Sequence, residues 1–249
     1  MSNRTKFVFA SDSHGEMVDK ESVEELFDFC GRYQPDIKVF GGDGFDFKSL
    51  RKGVSGKEES GSMSDDIKLG FWFIKNYKPT IWQDGNHEHR LKRLKHDTNS
   101  GVIADHCDHL DRSISQMLKD NGCKKRLPYH YEKGVYTMGP IRTVHGYTVS
   151  DRAVAQHAVH YGVAGGAVLM GHLHRIEQVN AKKHMGVVGF SGGCLCRIED
   201  MEYSETRLNT STHGKGFLYG FYEGNHWKVW QAHKVGKNWC YDVPITLNK

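Results

Sequence analysis

Hydrophobic positions along most of the chain follow two alternating patterns, and this alternation predicts an α/β fold. Short apolar runs typical of buried strands occur at residues 6–10, 37–40, 80–82 and 167–170. Between these runs, apolar residues recur at spacings of three and four, which is the period of an amphipathic helix. The predicted helices cover residues 20–33, a segment capped by Ser64, and residues 88–96, 102–119 and 150–161, the last capped by Ser150.

Two regions of the chain depart from this strand-helix alternation. From Val135 the apolar period changes to two, which predicts a hairpin of residues 135–138 and 141–144 around Gly139-Pro140. The part from 186 to 243 is rich in β-forming residues and glycine turns, with paired strands near 217–222 and 227–230. The run Lys124-Lys125-Arg126 is interpreted as a solvated basic turn.

The segment 48–64 is dominated by Gly, Ser, Lys and Glu, a composition that cannot supply a packed face. We therefore expect a loop there, and a candidate lid over a neighbouring site.

Composition and charge narrow the classes of protein that the chain can represent. With 249 residues it can bury one substantial core, so we expect a single domain over 1–249. A hydrophobic content of 38 % and a mean hydropathy of −0.61 exclude a membrane protein. The apolar run Phe7–Ala10 is too short for a signal-peptide core, so the expected location is cytoplasmic. The net charge of +4 permits a phosphate-bearing substrate without requiring nucleic acid.

Cysteine and histidine usage points in two directions. The six cysteines show no spacing typical of a disulfide scaffold, which fits a reducing compartment. Cys194 and Cys196 point the same way from an apparent strand, and two small buried side chains are favoured over a zinc pair because no second cysteine pair lies nearby. The 16 histidines are many for this length and give the first indication of metal chemistry.

Metal-type ligands follow the predicted strands at the point where each strand ends. Open α/β sheets bind their ligands at the carboxyl ends of strands, so these side chains are expected to converge. Carboxylates, an amide and imidazoles together suit Mn²⁺, Fe or Zn²⁺ better than Ca²⁺ or a thiolate-bound ion. Seven ligands are too many for one ion and fit two ions about 3.5–4 Å apart. The residues are Asp12, His14, Asp43, Asn86, His145, His172 and His174.

Each of these residues, taken singly, has an ordinary structural explanation. Asp12 or Asp43 could cap a following helix, and Asn86 beside Gly85 could be a turn residue. His172 and His174 could be surface histidines at a strand end. The joint occurrence of all these residues at strand ends favours the metal site.

In its motifs the chain resembles the calcineurin-like metallophosphoesterases. The five sequence blocks occur in the family's order and span roughly the first 175 residues. Each block is weak alone, whereas the five together are highly specific. The blocks are Asp12-x-His14, Gly42-Asp43-x-x-Asp46, Gly85-Asn86-His87-Glu88, His145 and Gly171-His172-x-His174.

The resemblance implies a fold and a ligand set. The fold would be a four-layer α/β/β/α sandwich of two mixed β-sheets flanked by helices. One metal ion, expected to be Mn²⁺ with Fe, Zn²⁺ or Ni²⁺ as alternatives, would be held by Asp12, His14, Asp43 and His174. The second ion would be held by Asp43, Asn86, His145 and His172.

The resemblance also implies catalytic roles. His87 would stabilise the transition state or protonate the leaving oxygen, with Asp46 orienting it. A water bridging the two ions would be the nucleophile. His89 and Arg90 flank this block and could contact a phosphate at the helix N-terminus, although a helix-surface role is about equally supported.

The expected activity is hydrolysis of a phosphodiester or phosphomonoester in a nucleotide, DNA or RNA. Trp72, Trp82 and Trp227 could stack a base, although core positions are commoner for such residues. The alternatives are a phosphoprotein phosphatase and a non-catalytic metal-binding scaffold. The phosphoprotein reading is disfavoured because the first block lacks Gly before Asp12 and the second lacks the Arg-Gly of that branch. The scaffold is disfavoured because every block is intact.

Overall fold

Two β-sheets form the centre of the molecule in the computed structural model, which describes residues 4–51, 53, 62–181, 186–200 and 212–241. The strands in chain order are β1 (Thr5–Ala10), β2 (Ile37–Phe40), β3 (Ile81–Gln83), β4 (Lys125–Leu127), β5 (Tyr136–Met138), β6 (Ile141–Val144), β7 (Ala167–Met170), β8 (Ile176–Asn180), β9 (Val188–Gly192), β10 (Gly216–Glu223), β11 (His226–Val235) and β12 (Asn238–Tyr241).

Both sheets are mixed. The first has seven strands in the order β12-β11-β10-β1-β2-β3-β4, in which β1 to β4 are parallel and β10 to β12 are antiparallel. The second has five strands in the order β5-β6-β7-β9-β8, with a parallel centre of β6, β7 and β9. The carboxyl ends of the parallel strands in each sheet therefore share one edge.

Helices cover the outer faces of the two sheets. The helices are α1 (Lys20–Tyr33), α2 (Met63–Tyr77), α3 (Glu88–Asp97), α4 (Gly101–Asp120) and α5 (Ala153–Tyr161). Buried residues of α1, α2, α3 and α4 share one hydrophobic cluster with the first sheet, whereas those of α5 pack against the second sheet. The α/β/β/α sandwich of two mixed sheets is therefore confirmed.

Strand β1 shows how the sequence fixes these layers. Its apolar residues are all buried, yet successive side chains point to opposite faces of a strand. Phe7 and Phe9 enter the core between the two sheets, together with Ile141 and Leu169 of the second sheet. Val8 lies in the core beneath the helices. A continuous apolar run therefore marks a strand that is buried on both faces.

Two helix starts differ from the sequence prediction. Ser62, not Ser64, caps α2, and its Oγ accepts a hydrogen bond from the Ser64 backbone N–H at 3.2 Å. Helix α5 begins at Ala153, preceded by Arg152 without a side-chain cap. Ser150 accepts from the Ala153 N–H with its carbonyl and donates from Oγ to Gln156 Oε1 at 3.2 Å. Short Ser-rich or polar segments offer several caps, so sequence alone places the first turn only to within a few residues.

The predicted basic turn at 124–126 is wrong. Residues Lys125–Leu127 form the edge strand β4 of the first sheet, parallel to β3. Arg126 donates from Nε to Asp84 Oδ1 at 2.8 Å and from Nη2 to Asp111 Oδ1 at 2.8 Å. Burial alone would lower the pKa of Arg126, but the two carboxylates raise it. The charge in this run therefore joins β4 to the loop after β3 and to helix α4.

His157 of α5 is a buried residue, and both of its ring nitrogens are hydrogen-bonded. Its Nδ1 donates to the Ala153 carbonyl at 2.7 Å, so its Nε2 accepts from the Tyr147 N–H at 2.9 Å. This arrangement requires a neutral ring, and burial, the largest cause, lowers the pKa of His157 below its ordinary value. His157 therefore anchors the loop that follows His145.

We expect the free energy of unfolding to decrease as the pH is lowered, because of His157. Because the folded-state pKa lies below the unfolded value, its contribution is present above the unfolded pKa and is lost as the pH falls through the folded pKa. In urea titrations between pH 7 and pH 5, the wild type should lose unfolding free energy more steeply than His157→Gln. The exposed His96→Gln is the matched control and should keep the wild-type slope. Parallel curves for wild type and His157→Gln would contradict the prediction.

Among the described residues, no helix is both long and apolar enough to span a bilayer. The candidate lid at 48–64 lies largely outside the described residues, which include there a short 3₁₀ helix at Lys48–Leu50, residues 51 and 53, and the start of α2.

Candidate metal centre and active site

The structure brings the seven predicted metal ligands together at one edge of the sandwich. Asp12, Asp43 and Asn86 follow β1, β2 and β3 of the first sheet. His145 follows β6, and His172 and His174 follow β7, of the second sheet. The two sheets therefore each supply part of one cluster, as the strand-end positions predict.

One half of the cluster is built around Asp43 and His145. Nε2 of His145 lies 3.2 Å from Asp43 Oδ2 and 3.0 Å from Asn86 Oδ1. The rings of His145 and His172 have centroids 5.0 Å apart, and Asp43, His145 and His172 place one donor atom each within 4.8 Å of one another. An oxygen and nitrogen donor set of this spacing can surround a single cation.

The other half is built around Asp12, His14 and His174. The Nε2 atoms of His14 and His174 lie 3.1 Å apart. Asp12 Oδ1 lies 3.4 Å from His174 Nε2 and 3.9 Å from His14 Nε2. All three side chains are buried. Two imidazole nitrogens and a carboxylate oxygen thus face a common point away from water.

Hydrogen bonds at the far side of the imidazole rings support a fit to metal ions. His145 donates from Nδ1 to the Gly41 carbonyl at 2.7 Å, and His14 Nδ1 lies 3.2 Å from Asp46 Oδ1. These contacts turn each Nε2 toward the cluster, as outer-sphere partners do for ligating histidines. The buried Nδ1 of His174 has no hydrogen-bond partner in the part of the chain that the structure describes. The donor set is therefore suited to two divalent ions.

The backbone at the ligands is unusual. Eight non-glycine residues of the described chain have positive φ, and five of them are predicted ligands. Such conformations cost of order 1 kcal/mol or more each and persist where surrounding structure enforces them. Their concentration here indicates that the loops are held in position for the site. The five are Asp12, His14, Asp43, His172 and His174, with φ between 50° and 70°.

Two glycines allow the loops to meet. A Cβ at Gly42, whose φ is +99°, would lie 2.5 Å from His145 Nδ1. A Cβ at Gly85 would lie 2.0 Å from Asp43 Oδ1. Both separations are shorter than any normal contact, so side chains at these positions would push Asp43 and His145 apart. The glycines in the second and third blocks are therefore needed for close approach.

Glu88 ties two of the ligand loops together, a role that the sequence analysis did not assign. Its buried carboxylate accepts backbone N–H bonds at 2.7 to 3.2 Å. Burial is the largest cause that raises the pKa of Glu88, to about 7, with neighbouring Asp43 and Asp84 adding to it. The four donors are the N–H groups of Asp43, Gly44, Phe45 and Gly85.

His87 and Asp46, the predicted catalytic pair, are in contact. His87 Nδ1 lies 2.7 Å from the Asp46 carbonyl and 2.9 Å from Asp46 Oδ1. On the other side of the ring, Arg90 Nη2 donates to His87 Nε2 at 3.0 Å, and Nε2 lies 3.7 Å from Asp43 Oδ2. Burial is the largest cause that lowers the pKa of His87. The ring is therefore a neutral imidazole held by a carboxylate and a guanidinium beside the metal cluster.

Asp66 of α2 holds the Asp46 loop. Its Oδ1 and Oδ2 accept from the backbone N–H groups of Asp46 and Phe47 at 2.9 and 2.8 Å. Arg90 adds a second restraint, because its Nη1 donates to the Asp46 carbonyl at 2.7 Å. Helices α2 and α3 therefore fix Asp46 from two directions.

Charges within the cluster decide its protonation. Burial would raise the pKa of Asp12, but the hydrogen bond and charge of His174 lower it to about 2. Burial lowers the pKa of His145 and of His14, but Asp43 and Asp46 respectively outweigh it and raise each pKa to about 9. Without ions, these rings carry protons where the ions would lie. Metal binding has to displace them, so affinity should rise with pH toward about 9.

The aromatic residues considered for base stacking lie in different environments. Trp82 is fully buried and packs on Phe40, so it cannot stack a base. Trp72 packs against the core, and Trp227 lies on β11 with its Nε1 donating to the Gly165 carbonyl. The exposed His89 and the half-buried Tyr129 instead have ring centroids 5.8 Å apart, and Tyr129 lies 5.8 Å from the His145 ring.

Comparison with known proteins gave structural matches alone. No protein-family model matches the sequence, and no curated protein matches it. The structure is similar to the phosphoesterase YfcE from E. coli, at 13% identity and a TM-score of 0.42 over 98% of this chain and 100% of that one. It is also similar to Vps29 from Entamoeba histolytica complexed with Zn²⁺, at 10% identity and a TM-score of 0.42 over 96% and 97%.

A third match is the hypothetical protein PH1004 from Pyrococcus horikoshii, at 11% identity and a TM-score of 0.48 over 92% of this chain and 87% of that one. Two features belong to this chain's own structure: the topology of its two sheets, and the location of all five sequence blocks at one edge. On those observations, the chain has the fold of the calcineurin-like metallophosphoesterases that its sequence resembles.

Proposed function

We propose that the protein is a phosphoesterase that depends on two divalent metal ions. The proposal rests on one observation: two groups of ligands and a restrained, neutral histidine lie close together at the edge where the parallel strands end. His87 shares one group of donor atoms within 4.8 Å with His14 and Asp43, and Asp43 shares another with His145 and His172. A purely structural site would not need a histidine held between a carboxylate and a guanidinium at this point.

The two ions would be held by the two groups of ligands, with Asp43 placed between them. Divalent ions in such sites supply Lewis-acid stabilisation for phosphoryl transfer. The first group is Asp12, His14, Asp43 and His174, and the second is Asp43, Asn86, His145 and His172.

Residues of the chain would position the phosphoester and stabilise its negative charge. Arg90 has a guanidinium within 3.0 Å of His87 Nε2, where it can donate to a phosphate oxygen. Asp46 contacts His87 Nδ1 and fixes the ring so that Nε2 is directed toward the substrate side. After taking up a proton at Nε2, His87 would hydrogen-bond the reacting phosphate or protonate the leaving oxygen.

The substrate that we propose is a nucleotide or a nucleic-acid phosphoester. The half-buried Tyr129 lies beside His145, and the exposed His89 lies beside Tyr129, so a base attached to the reacting phosphate could stack on these rings. The mildly basic net charge of +4 supports an anionic substrate.

Hydrolysis of bis-p-nitrophenyl phosphate and p-nitrophenyl phosphate with Mn²⁺ or Zn²⁺ tests the proposal. We expect activity that EDTA abolishes and that added metal restores, because the reaction needs both ions. Asp43→Asn should lose activity and bound metal together, since it removes the shared charge while preserving size. The exposed Asp28→Asn is the matched control and should keep both.

A panel of cyclic nucleotides, single- and double-stranded DNA, 3′-phosphorylated ends and a phosphopeptide then identifies the substrate class. Hydrolysis of the nucleotide or DNA members supports the proposal. Selective hydrolysis of the phosphopeptide would replace it with a phosphoprotein phosphatase. Two bound ions without hydrolysis of any member would contradict catalysis and favour a metal-binding scaffold.

A further inference from the structure

A segment near Cys196 runs directly beside the first ligand loop. The Leu195 N–H donates to the Asp12 carbonyl at 3.0 Å, and the Asp19 N–H donates to the Leu195 carbonyl at 2.9 Å. Arg197 N–H donates to the Met17 carbonyl at 2.8 Å, and Cys196 forms an antiparallel bridge with Val18. Backbone hydrogen bonds on both sides therefore fix where the Cys196 side chain lies.

That side chain lies at the first metal group. Sγ of Cys196, one ring nitrogen of His14 and one of His174 all lie within 4.8 Å of one another. Cys196 is fully buried, and His14 and His174 are only 3 % and 5 % exposed. The sulfur thus lies between two imidazoles on one side and a small apolar cluster with Cys194, Met17 and Ile198 on the other.

The spacing of these donors suits one zinc ion. Ligand atoms around a single zinc ion lie roughly 3.2–3.8 Å apart, given its usual bond lengths. The separations are 3.1 Å between His14 Nε2 and His174 Nε2, 3.4 Å between His174 Nε2 and Asp12 Oδ1, and 3.9 Å between His14 Nε2 and Asp12 Oδ1, all close to this range. The Cys196 sulfur would be a fourth ligand atom, and the shared Asp43 carboxylate a fifth.

The neighbouring thiol is placed differently. Cys194 Sγ donates to the Gly214 carbonyl at 3.7 Å and belongs to none of the ligand groups found among the described residues. Cys194 is buried, its thiol is hydrogen-bonded to Cys196, and its charge interacts with His174. Cys196, two residues later, lies against the ligands of the first site.

We propose that Cys196 binds, as a thiolate, the metal ion held by Asp12, His14 and His174, and that this site takes Zn²⁺ or a similarly thiophilic ion. On binding, the S–H bond breaks, a sulfur electron pair forms the bond to the ion, and the proton passes to water, without any redox change. Thiolate ligands favour such ions over Mn²⁺. The second site has only oxygen and nitrogen ligands, so the two ions would differ.

This inference rests on the proposed function only through the shared metal site, and metal spectroscopy tests it separately from hydrolysis. Metal-depleted protein is titrated with Co²⁺, which gives a near-ultraviolet charge-transfer band when a thiolate is a ligand. We expect the band in the wild type and in Cys194→Ser, and its loss in Cys196→Ser. We also expect Cys196→Ser to bind Zn²⁺ roughly tenfold or more weakly in chelator competition.

Several results would overturn the proposal. These are bound Co²⁺ without the band in the wild type, a band that survives in Cys196→Ser, or a band lost only in Cys194→Ser. X-ray absorption at the zinc edge of wild-type protein needs no variant to fold, and a ligand shell without sulfur would also overturn it. The band in a protein that hydrolyses no phosphoester would uphold the cysteine ligand and reject the phosphoesterase. Hydrolysis with two ions and no band would do the reverse.

Discussion

Replacing His87 with Ala is expected to lower kcat/KM for phosphoester hydrolysis by roughly 10²–10⁴-fold, the usual contribution of a positioned acid-base residue. The reason is its position: Nδ1 is held by Asp46 at 2.9 Å, and Nε2 lies near Arg90 and Asp43. The ring is thereby aimed at the space between the two ligand groups. Steady-state kinetics with saturating metal provide the measurement.

Bound metal has to be measured in the same samples, because loss of an ion would lower the rate for another reason. We expect His87→Ala to retain both ions, since the seven predicted ligands remain. His96→Ala is the matched control, because His96 is exposed on the same helix and contacts Asp97. A His87→Ala protein with full metal content and more than about a tenth of the wild-type rate would contradict the catalytic role.

Replacing Glu88 with Ala is expected to lower the unfolding free energy by at least about 4 kcal/mol. The variant leaves four buried backbone N–H groups without an acceptor, and each unpaired group costs about 1–3 kcal/mol. Urea denaturation of the metal-free protein measures the loss. The removal of Glu88 should also lower the affinity for metal, because Asp43 and Gly85 would no longer be held together.

Two further variants separate the acceptor role of Glu88 from the loss of a charge or of side-chain volume. Glu88→Gln keeps the size and one carbonyl oxygen, so it should lose clearly less stability than Glu88→Ala. Glu24→Ala removes an exposed glutamate from α1 and should change stability by less than about 0.5 kcal/mol. A loss below about 1 kcal/mol in Glu88→Ala would show that the four N–H groups find other partners.

Much of the fold could be predicted because local pattern and global position agree. Strand β1, with its apolar run Phe7–Ala10, and the helix at Lys20–Tyr33 have the predicted kinds of structure, since their hydrophobic patterns match the faces that they bury. Strand β4 could not be predicted from Lys125 and Arg126. Its identity depends on pairing with β3 and on the carboxylates of Asp84 and Asp111, which lie far away in sequence.

The candidate site, like the fold, could be predicted only in part from the sequence. Residues such as Asp12, Asp43 and His145 could be proposed because ligand-type side chains follow strands directly. Glu88 stands in a recognised block, yet its function as an acceptor for two loops depends on how those loops fold. The spacing of Cys194 and Cys196 gives only a weak local signal, because the relation of Cys196 to His14 arises from the backbone pairing of residues about 180 positions apart.

The placement of the cluster across both sheets has a mechanical consequence. Ions bound there would join two sheets that already share an apolar core, which includes Phe9 and Leu169, and hydrogen bonds between Gln83 and Thr143. Bound metal would therefore stabilise the contact between the two sheets. The melting temperature would increase with the free concentration of the metal by mass action. In cells with little available metal, the protein would therefore be less rigid as well as less active.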